Sequence, residues 1–191
     1  MRPFLSALAL SLVAAPAGAE DSGSKAPKVE LVTTHGSLVL ELDPVNAPVT
    51  TENFLRYVRD GHYDGLIFHR VIAGFMAQAG GYDTEYRERE TRAPIENESR
   101  NGLSNERGTI AMARTNDPHS ATAQFFINLV DNARLDGSPG RWGYTVFGRL
   151  TDGLDVLDKI GAVATGRGGP FPTDVPQAPI VITQARVVDA D

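Results

Sequence analysis

The chain has 191 residues, enough for one domain with a hydrophobic core of its own. Hydrophobic residues make up 41% and charged residues 22%, which excludes wholesale disorder, and the absence of cysteine excludes disulfide frameworks, thiolate metal sites and cysteine nucleophiles. Eighteen Lys+Arg against 24 Asp+Glu leave a net charge of −6 with no basic run, so no nucleic-acid partner is expected.

Residues 1–19 have the features of a cleavable signal peptide: a positive start at Met1-Arg2, an apolar run from Phe4 to Val13, and small residues at Ala17-Gly18-Ala19. The apolar run is about half of the roughly 20 residues that a spanning helix needs, and Pro16 follows it. The expected product is therefore exported and carries no membrane anchor after cleavage. Residues 20–27 (EDSGSKAP) form a short polar leader, and one domain is expected over 28–189.

Val29–Thr33 and Ser37–Leu42 are β-rich runs joined by Thr34-His35-Gly36, a hairpin signal. Pro48 opens a helical pattern with Phe54, Leu55 and Val58 on one side, and Gly61 is placed to end it. Short apolar strands are expected at Leu66–Ile72 and Phe75–Ala79. Tyr82–Gly108 is charged with mixed signs and is expected to be a long surface excursion. Within it, Asn97-Glu98-Ser99 has the pattern of a glycosylation acceptor but is expected to be ordinary loop. Three more strands are expected at Thr109–Ala113, Gln124–Val130 and Tyr144–Leu150. A helix over Asp152–Gly161, with Asp152 as its cap, a Gly/Pro loop over Gly166–Pro179 and a strand over Ile180–Val188 complete the chain. Many short strands and few helices imply a mainly β domain, a closed or nearly closed antiparallel barrel.

Three strands carry side chains that a bland sheet does not require. Strand alternation puts Phe125, Ile127 and Leu129 toward a core and Gln124, Phe126 and Asn128 on the opposite face. A phenylalanine between two amides there is either a surface ring packed under a loop or the floor of a ligand pocket. Met76 and Gln78 repeat the pairing of an apolar group with an amide, while Ala77 and Ala79 point the other way. Arg70 interrupts the apolar run Leu66–Ile72, either tied to a carboxylate or held to donate hydrogen bonds to a ligand. His69 alternates away from Arg70 and reads as structural; the four histidines are scattered and have no metal-ligand spacing.

Four ordered blocks now add to this reading: Phe68-His69-Arg70-Val71-Ile72-Ala73-Gly74-Phe75-Met76-Ala77-Gln78, Gly108-Thr109-Ile110-Ala111-Met112-Ala113-Arg114, Ser120-Ala121-Thr122-Ala123-Gln124-Phe125-Phe126-Ile127 and Val146-Phe147-Gly148. Together they resemble the signature blocks of the cyclophilins, the peptidyl-prolyl cis-trans isomerases, and most closely the secreted bacterial branch. The resemblance runs from about Val29 to Val188. It implies a closed eight-stranded antiparallel barrel capped by two helices, the periplasm as the destination, and proline-containing polypeptides as substrates.

The resemblance also assigns roles. Arg70 is the expected catalytic residue, and Phe75, Met76, Phe126 and Leu135 the socket for the proline ring. Gln78 and Gln124 are expected to bond the substrate backbone and help position Arg70, while Ala113, Arg114 and Thr115 bind the residues before proline. The family commonly has asparagine at the position of Arg114, but that contact is largely main-chain and is expected to survive; many relatives have histidine at the position of Tyr144, so activity is expected to persist with an altered substrate preference. Arg134 replaces a tryptophan that contributes to cyclosporin binding in many eukaryotic relatives, so cyclosporin is expected to bind weakly. Neither cofactor nor metal is implied, and a monomer is the default. A binding module without catalysis and a small-molecule carrier with an open lumen are the competing classes.

Overall fold

The computed structural model describes residues 26–188. The signal-peptide and most of the leader assignments lie outside that range. Ten strands, two α-helices and one 3₁₀ turn follow in order: β1 (Lys28–Thr33), β2 (Gly36–Leu42), α1 (Pro48–Arg59), β3 (Arg70–Ile72), β4 (Met76–Ala79), β5 (Thr109–Met112), β6 (Phe125–Asn128), the 3₁₀ turn (Ala133–Leu135), β7 (Val146–Asp152), α2 (Leu154–Gly161), β8 (Thr165–Gly168), β9 (Phe171–Pro176) and β10 (Ile182–Val188).

Eight strands form one antiparallel sheet in the order β10-β1-β2-β7-β5-β6-β4-β3. The expected closed barrel needs correction: the sheet is strongly curled, but no ladder joins β3 to β10. Among the described residues the two edges approach through the segment before β3, by an Ile67–Val181 bridge and the bonds Gly65 N–H to Ile182 O (2.8 Å), Phe68 N–H to Ile180 O (2.9 Å) and Ile182 N–H to Leu66 O (2.8 Å). The expected strand Leu66–Ile72 is thereby divided. Its first residues bond toward the C-terminal strand, while Arg70–Ile72 turn to pair with β4 alone.

Alternation fixes the inside of the sheet. Val29 and Leu31 of β1, Leu38, Leu40 and Leu42 of β2, and Phe125 and Ile127 of β6 are buried in one cluster with Phe54, Tyr63, Phe68 and Phe147. Phe54 of α1 lies 5.2 Å from the Tyr63 ring, 5.6 Å from Phe125 and 5.2 Å from Phe147, centroid to centroid. Tyr63 Oη donates to the Ala123 carbonyl at 2.9 Å, so the buried phenol is satisfied. These large side chains fill the space that a carrier would need as a ligand chamber.

The helix ends differ from expectation. Pro48 is at the first turn of α1, but the cap comes from 49 residues away: the Glu98 carboxylate accepts from Val49 N (3.1 Å), Thr50 N (2.8 Å) and Thr50 Oγ1 (2.7 Å). Asp152 does not cap α2. Its carboxylate accepts from Gly153 N at 2.8 Å, and Gly153, at φ 91°, is itself the N-cap. Val156, Leu157 and Ile160 seat α2 on the core. Gly36 at the first hairpin has φ +125°, and a Cβ there would lie 2.7 Å from Val156 Cγ2, so both conformation and space exclude a side chain.

Two further segments are corrected. The expected Gly/Pro loop 166–179 contains the β8–β9 hairpin. The excursion 82–108 is anchored by buried polar residues, Asn97, Ser99 and Asn105. Asn97 Nδ2 donates to the carbonyls of Pro118 (3.0 Å) and Gly143 (3.2 Å), which commits this amide inside the fold and excludes a glycan there.

Candidate active site

Directly opposite residues of antiparallel neighbours point to the same face of a sheet. The registers place Arg70 opposite Gln78, Gln78 opposite Phe126, Phe126 opposite Ala111, and Ala111 opposite Val146. One row therefore crosses β3, β4, β6, β5 and β7 on the face away from the main core. The next row brings Ile72 opposite Met76 and Met76 opposite Asn128. Met76, Ala111, Phe126 and Val146 form a second apolar cluster, and Phe75, Leu135, Tyr144 and Ala113 pack partly buried against it.

This cluster is the floor of a groove of about 590 Å³. Arg70, Phe75, Met76, Gln78, Ala113, Arg114, Gln124, Phe126, Leu135 and Tyr144 all line it, so ten of the eleven residues expected from sequence converge. Thr115 does not. Its amide and hydroxyl both bond Ser120 Oγ, at 2.9 and 2.8 Å, in the exposed loop that follows Arg114.

The socket is held by a buried amide network that sequence reasoning missed. Asn132 Nδ2 donates to the Phe75 carbonyl (2.9 Å) and to Asn128 Oδ1 (2.8 Å). Asn128 Nδ2 donates to Thr109 Oγ1 (2.9 Å) and to Asn105 Oδ1 (3.2 Å), and Asn105 Nδ2 donates to the Asp136 carboxylate at 2.8 Å. Leu135 N–H donates to the Asn132 carbonyl at 2.8 Å, so Phe75 and Leu135 are both tied to Asn132. Asn128 on the groove side of β6 was the only visible sign of this. Gly143 admits no side chain, because a Cβ there would run into the Gly137 and Leu135 backbone.

The groove arginines are held differently. Arg114 donates Nε to Gly143 O (3.1 Å), Nη1 to Thr115 O (2.8 Å) and Nη2 to Trp142 O (3.2 Å), and its Cζ lies 4.6 Å from the centre of the Tyr144 ring. The side chain of Arg70 makes no hydrogen bond among the described residues. Its side chain is 45% exposed, and its one ionic neighbour is the Asp174 carboxylate at 3.8 Å from Nε, too far for a hydrogen bond. The expected support of Arg70 by Gln78 and Gln124 is not seen; Gln78 Nε2 instead donates to Gln124 Oε1 at 2.9 Å.

Three lining residues were not expected: His69, Tyr82 and Phe171. Tyr82 and Phe171 lie in segments taken as surface loop, yet their rings meet at 5.1 Å and both contact the His69 ring, at 4.8 and 5.7 Å. The signal was aromatics set in otherwise polar or Gly/Pro-rich stretches, Tyr82 and Tyr86 in one and Phe171 in the other. His69 is buried, and its Nδ1 has no partner among the described residues. Burial, and then the neighbouring Arg70 charge, push its pKa from 6.5 down to about 4. The ring is therefore neutral at neutral pH. The lining sets an apolar floor beside the side-chain amides of Gln78 and Gln124 and the Arg70 guanidinium, an arrangement able to seat an apolar group and donate hydrogen bonds next to it.

The sequence over residues 28–187 matches the model of the cyclophilin type peptidyl-prolyl cis-trans isomerase/CLD family. The chain belongs to that family. Among its cyclophilin relatives, a peptidyl-prolyl cis-trans isomerase of Streptomyces antibioticus is 56% identical over 163 residues, covering 84% of this chain and 98% of the relative. Peptidyl-prolyl cis-trans isomerase B of Escherichia coli is 52% identical over 158 residues, covering 81% and 96%. A crystal structure of a Cryptosporidium parvum cyclophilin, determined in the presence of the dipeptide Ala-Pro, superposes with a TM-score of 0.69 at 26% identity, covering 85% of this chain and 99% of that one.

Proposed function

We propose that this cyclophilin-type peptidyl-prolyl cis-trans isomerase acts on Xaa-Pro bonds of exported polypeptides, with Arg70 stabilising the twisted amide. Rotation about a peptide bond costs about 18–20 kcal/mol because it breaks amide resonance, and Xaa-Pro bonds exchange over tens of seconds or longer without help. The catalyst needs no covalent step; it has to bind the twisted amide better than either planar form. At the top of the barrier the prolyl nitrogen is pyramidal and carries a lone pair. A donor already aimed there stabilises that state selectively.

The observation that carries the reading is the row Arg70–Gln78–Phe126, which puts an uncommitted guanidinium beside a ring-lined socket. Phe75, Met76, Phe126 and Leu135 take the proline ring, and the Gln78–Gln124 pair takes the substrate backbone. The segment 113–114 receives the residues before proline. A short Xaa-Pro peptide followed by exchange NMR tests this. The protein is expected to accelerate isomerisation, and Arg70→Ala to abolish most of the acceleration while circular dichroism is unchanged. Peptide binding without acceleration would leave a binding module instead.

The signal-like segment 1–19 supports export, with the periplasm as destination and a role in folding secreted chains. The assay on material from a fractionated native host, with the cut expected before Glu20, tests it. The domain is read as a monomer, with gel filtration as its check. Cyclosporin is expected to bind weakly, because Arg134 replaces an indole, and the guanidinium stands over Phe75, Cζ to centroid 4.8 Å. Trp142 does not compensate: it lies between Arg100 and His119, away from the socket. Stoichiometric inhibition by the drug would overturn this expectation.

A further inference from the structure

We infer that Arg134 selects proline segments carrying an acidic side chain next to the proline, a specificity that rests on the groove being the proline-peptide site. The residues lining the groove include two arginines, Arg70 and Arg114, and no carboxylate, in a chain whose net charge is −6. The Asp174 carboxylate partly offsets Arg70. Arg114 is held in place by bonds from all three of its nitrogens to carbonyls and acts as a fixed positive charge. Arg141, also nearby, is spent on the carbonyls of Arg134 (3.1 Å) and Asp136 (2.7 Å). Arg134 is different. It is exposed on the 3₁₀ turn beside Leu135, its guanidinium covers the Phe75 ring, and it donates no side-chain hydrogen bond among the described residues.

An arginine stacked on an aromatic face is laid flat with its in-plane donors directed outward, the geometry that a carboxylate accepts in bidentate fashion. Because Phe75 is also a wall of the socket, a proline ring seated there lies within a side chain's length of that guanidinium. The rest of the acidic surface repels such a segment only weakly, since screening limits exposed charges to about 8 Å at physiological salt. The local arginines therefore decide the sign of the preference. A lysine beside the proline meets the same charges as repulsion.

The test measures kcat/KM by exchange NMR on three peptide sets with Glu, Ala or Lys placed just before, and separately just after, the proline. At low ionic strength, about 0.01 M, where the Debye length is about 30 Å, Glu is expected to exceed Lys by roughly five-fold at one of the two positions. The ratio is expected to fall toward one at about 1 M salt, where the Debye length is about 3 Å. Arg134→Gln should shrink the low-salt ratio and Arg134→Glu should invert it. Equal turnover of the Glu and Lys peptides, with the Ala peptide turned over normally, overturns the inference and leaves the isomerase reading intact. A ratio that survives Arg134→Glu removes Arg134 from specificity. No acceleration of any peptide overturns both readings.

Discussion

Arg114 and Arg70 line opposite sides of one groove and are prepared in opposite ways. The wall of Arg114 is consolidated: its guanidinium joins the Thr115, Trp142 and Gly143 carbonyls and rests on Tyr144. On the Arg70 wall the guanidinium has one carboxylate at 3.8 Å and no hydrogen bond among the described residues, while the histidine before it is buried and neutral. An arginine whose three nitrogens are all tied to carbonyls builds shape. An arginine with its donors unspent can act on whatever the shape receives.

The largest effect expected from breaking this contrast is at Arg70. Arg70→Ala should lower kcat/KM roughly 100-fold or more, the usual loss when one donor to a transition state is removed. Arg70→Lys should recover little, because a single ammonium does not reproduce the fork. Peptide exchange rates read both, with thermal unfolding to show that the fold is kept.

The next effect concerns the ground beneath Arg70. His69 has a folded pKa of about 4 against 6.5, so between those values the unfolded chain binds more protons than the folded one. Stability therefore falls as pH drops from about 6.5 to 4, by about 3 kcal/mol from this group. His62, whose pKa burial also lowers, adds to the same slope. Urea unfolding from pH 7 to 4 should show the loss, and His69→Gln should flatten most of it; an unchanged slope in the variant would exclude His69 as its source.

On the other wall, Arg114→Ala should raise KM about three- to ten-fold with a smaller change in kcat, since it loosens a binding surface and touches no reacting atom. A kcat loss matching that of Arg70→Ala would erase the distinction between the two. The smallest effect lies outside the groove. Glu98→Ala should cost roughly 1–2 kcal/mol by uncapping α1, read as a lowered melting temperature with peptide turnover retained.

The sequence made legible what local periodicity governs. Alternation alone separated Phe125 and Ile127 from Phe126, and Ala77 from Met76 and Gln78; the structure puts Phe125, Ile127 and Ala77 in the main core and Phe126 and Met76 in the second cluster, with Gln78 lining the groove. It did not show what depends on chain segments meeting from afar. Glu98 capping α1, the Asn105–Asn128–Asn132 network and the packing of Phe171 against His69 each join residues dozens of positions apart or in different loops. The β8–β9 hairpin was hidden by its glycines and prolines, which favour loops by local preference and are here overridden by pairing. Closure failed as an expectation because the run Leu66–Ile72 divides: its first residues reach Ile180 and Ile182 by single bonds, while Arg70–Ile72, three residues long, pairs with β4 alone.

The placement of β1 carries its own consequence for how the chain is made. β1 lies between β2 and β10, with Lys28 opposite both Glu41 and Val188. A ribosome releases these two partners nearly a full domain apart in time. Until the last segment emerges, β1 presents a bare edge of backbone donors and acceptors, the kind of surface on which unfinished chains stick to one another. Truncation before Ile182 should therefore yield aggregates, whereas relocating the ends by splicing 188 to 28 through a short tether should not.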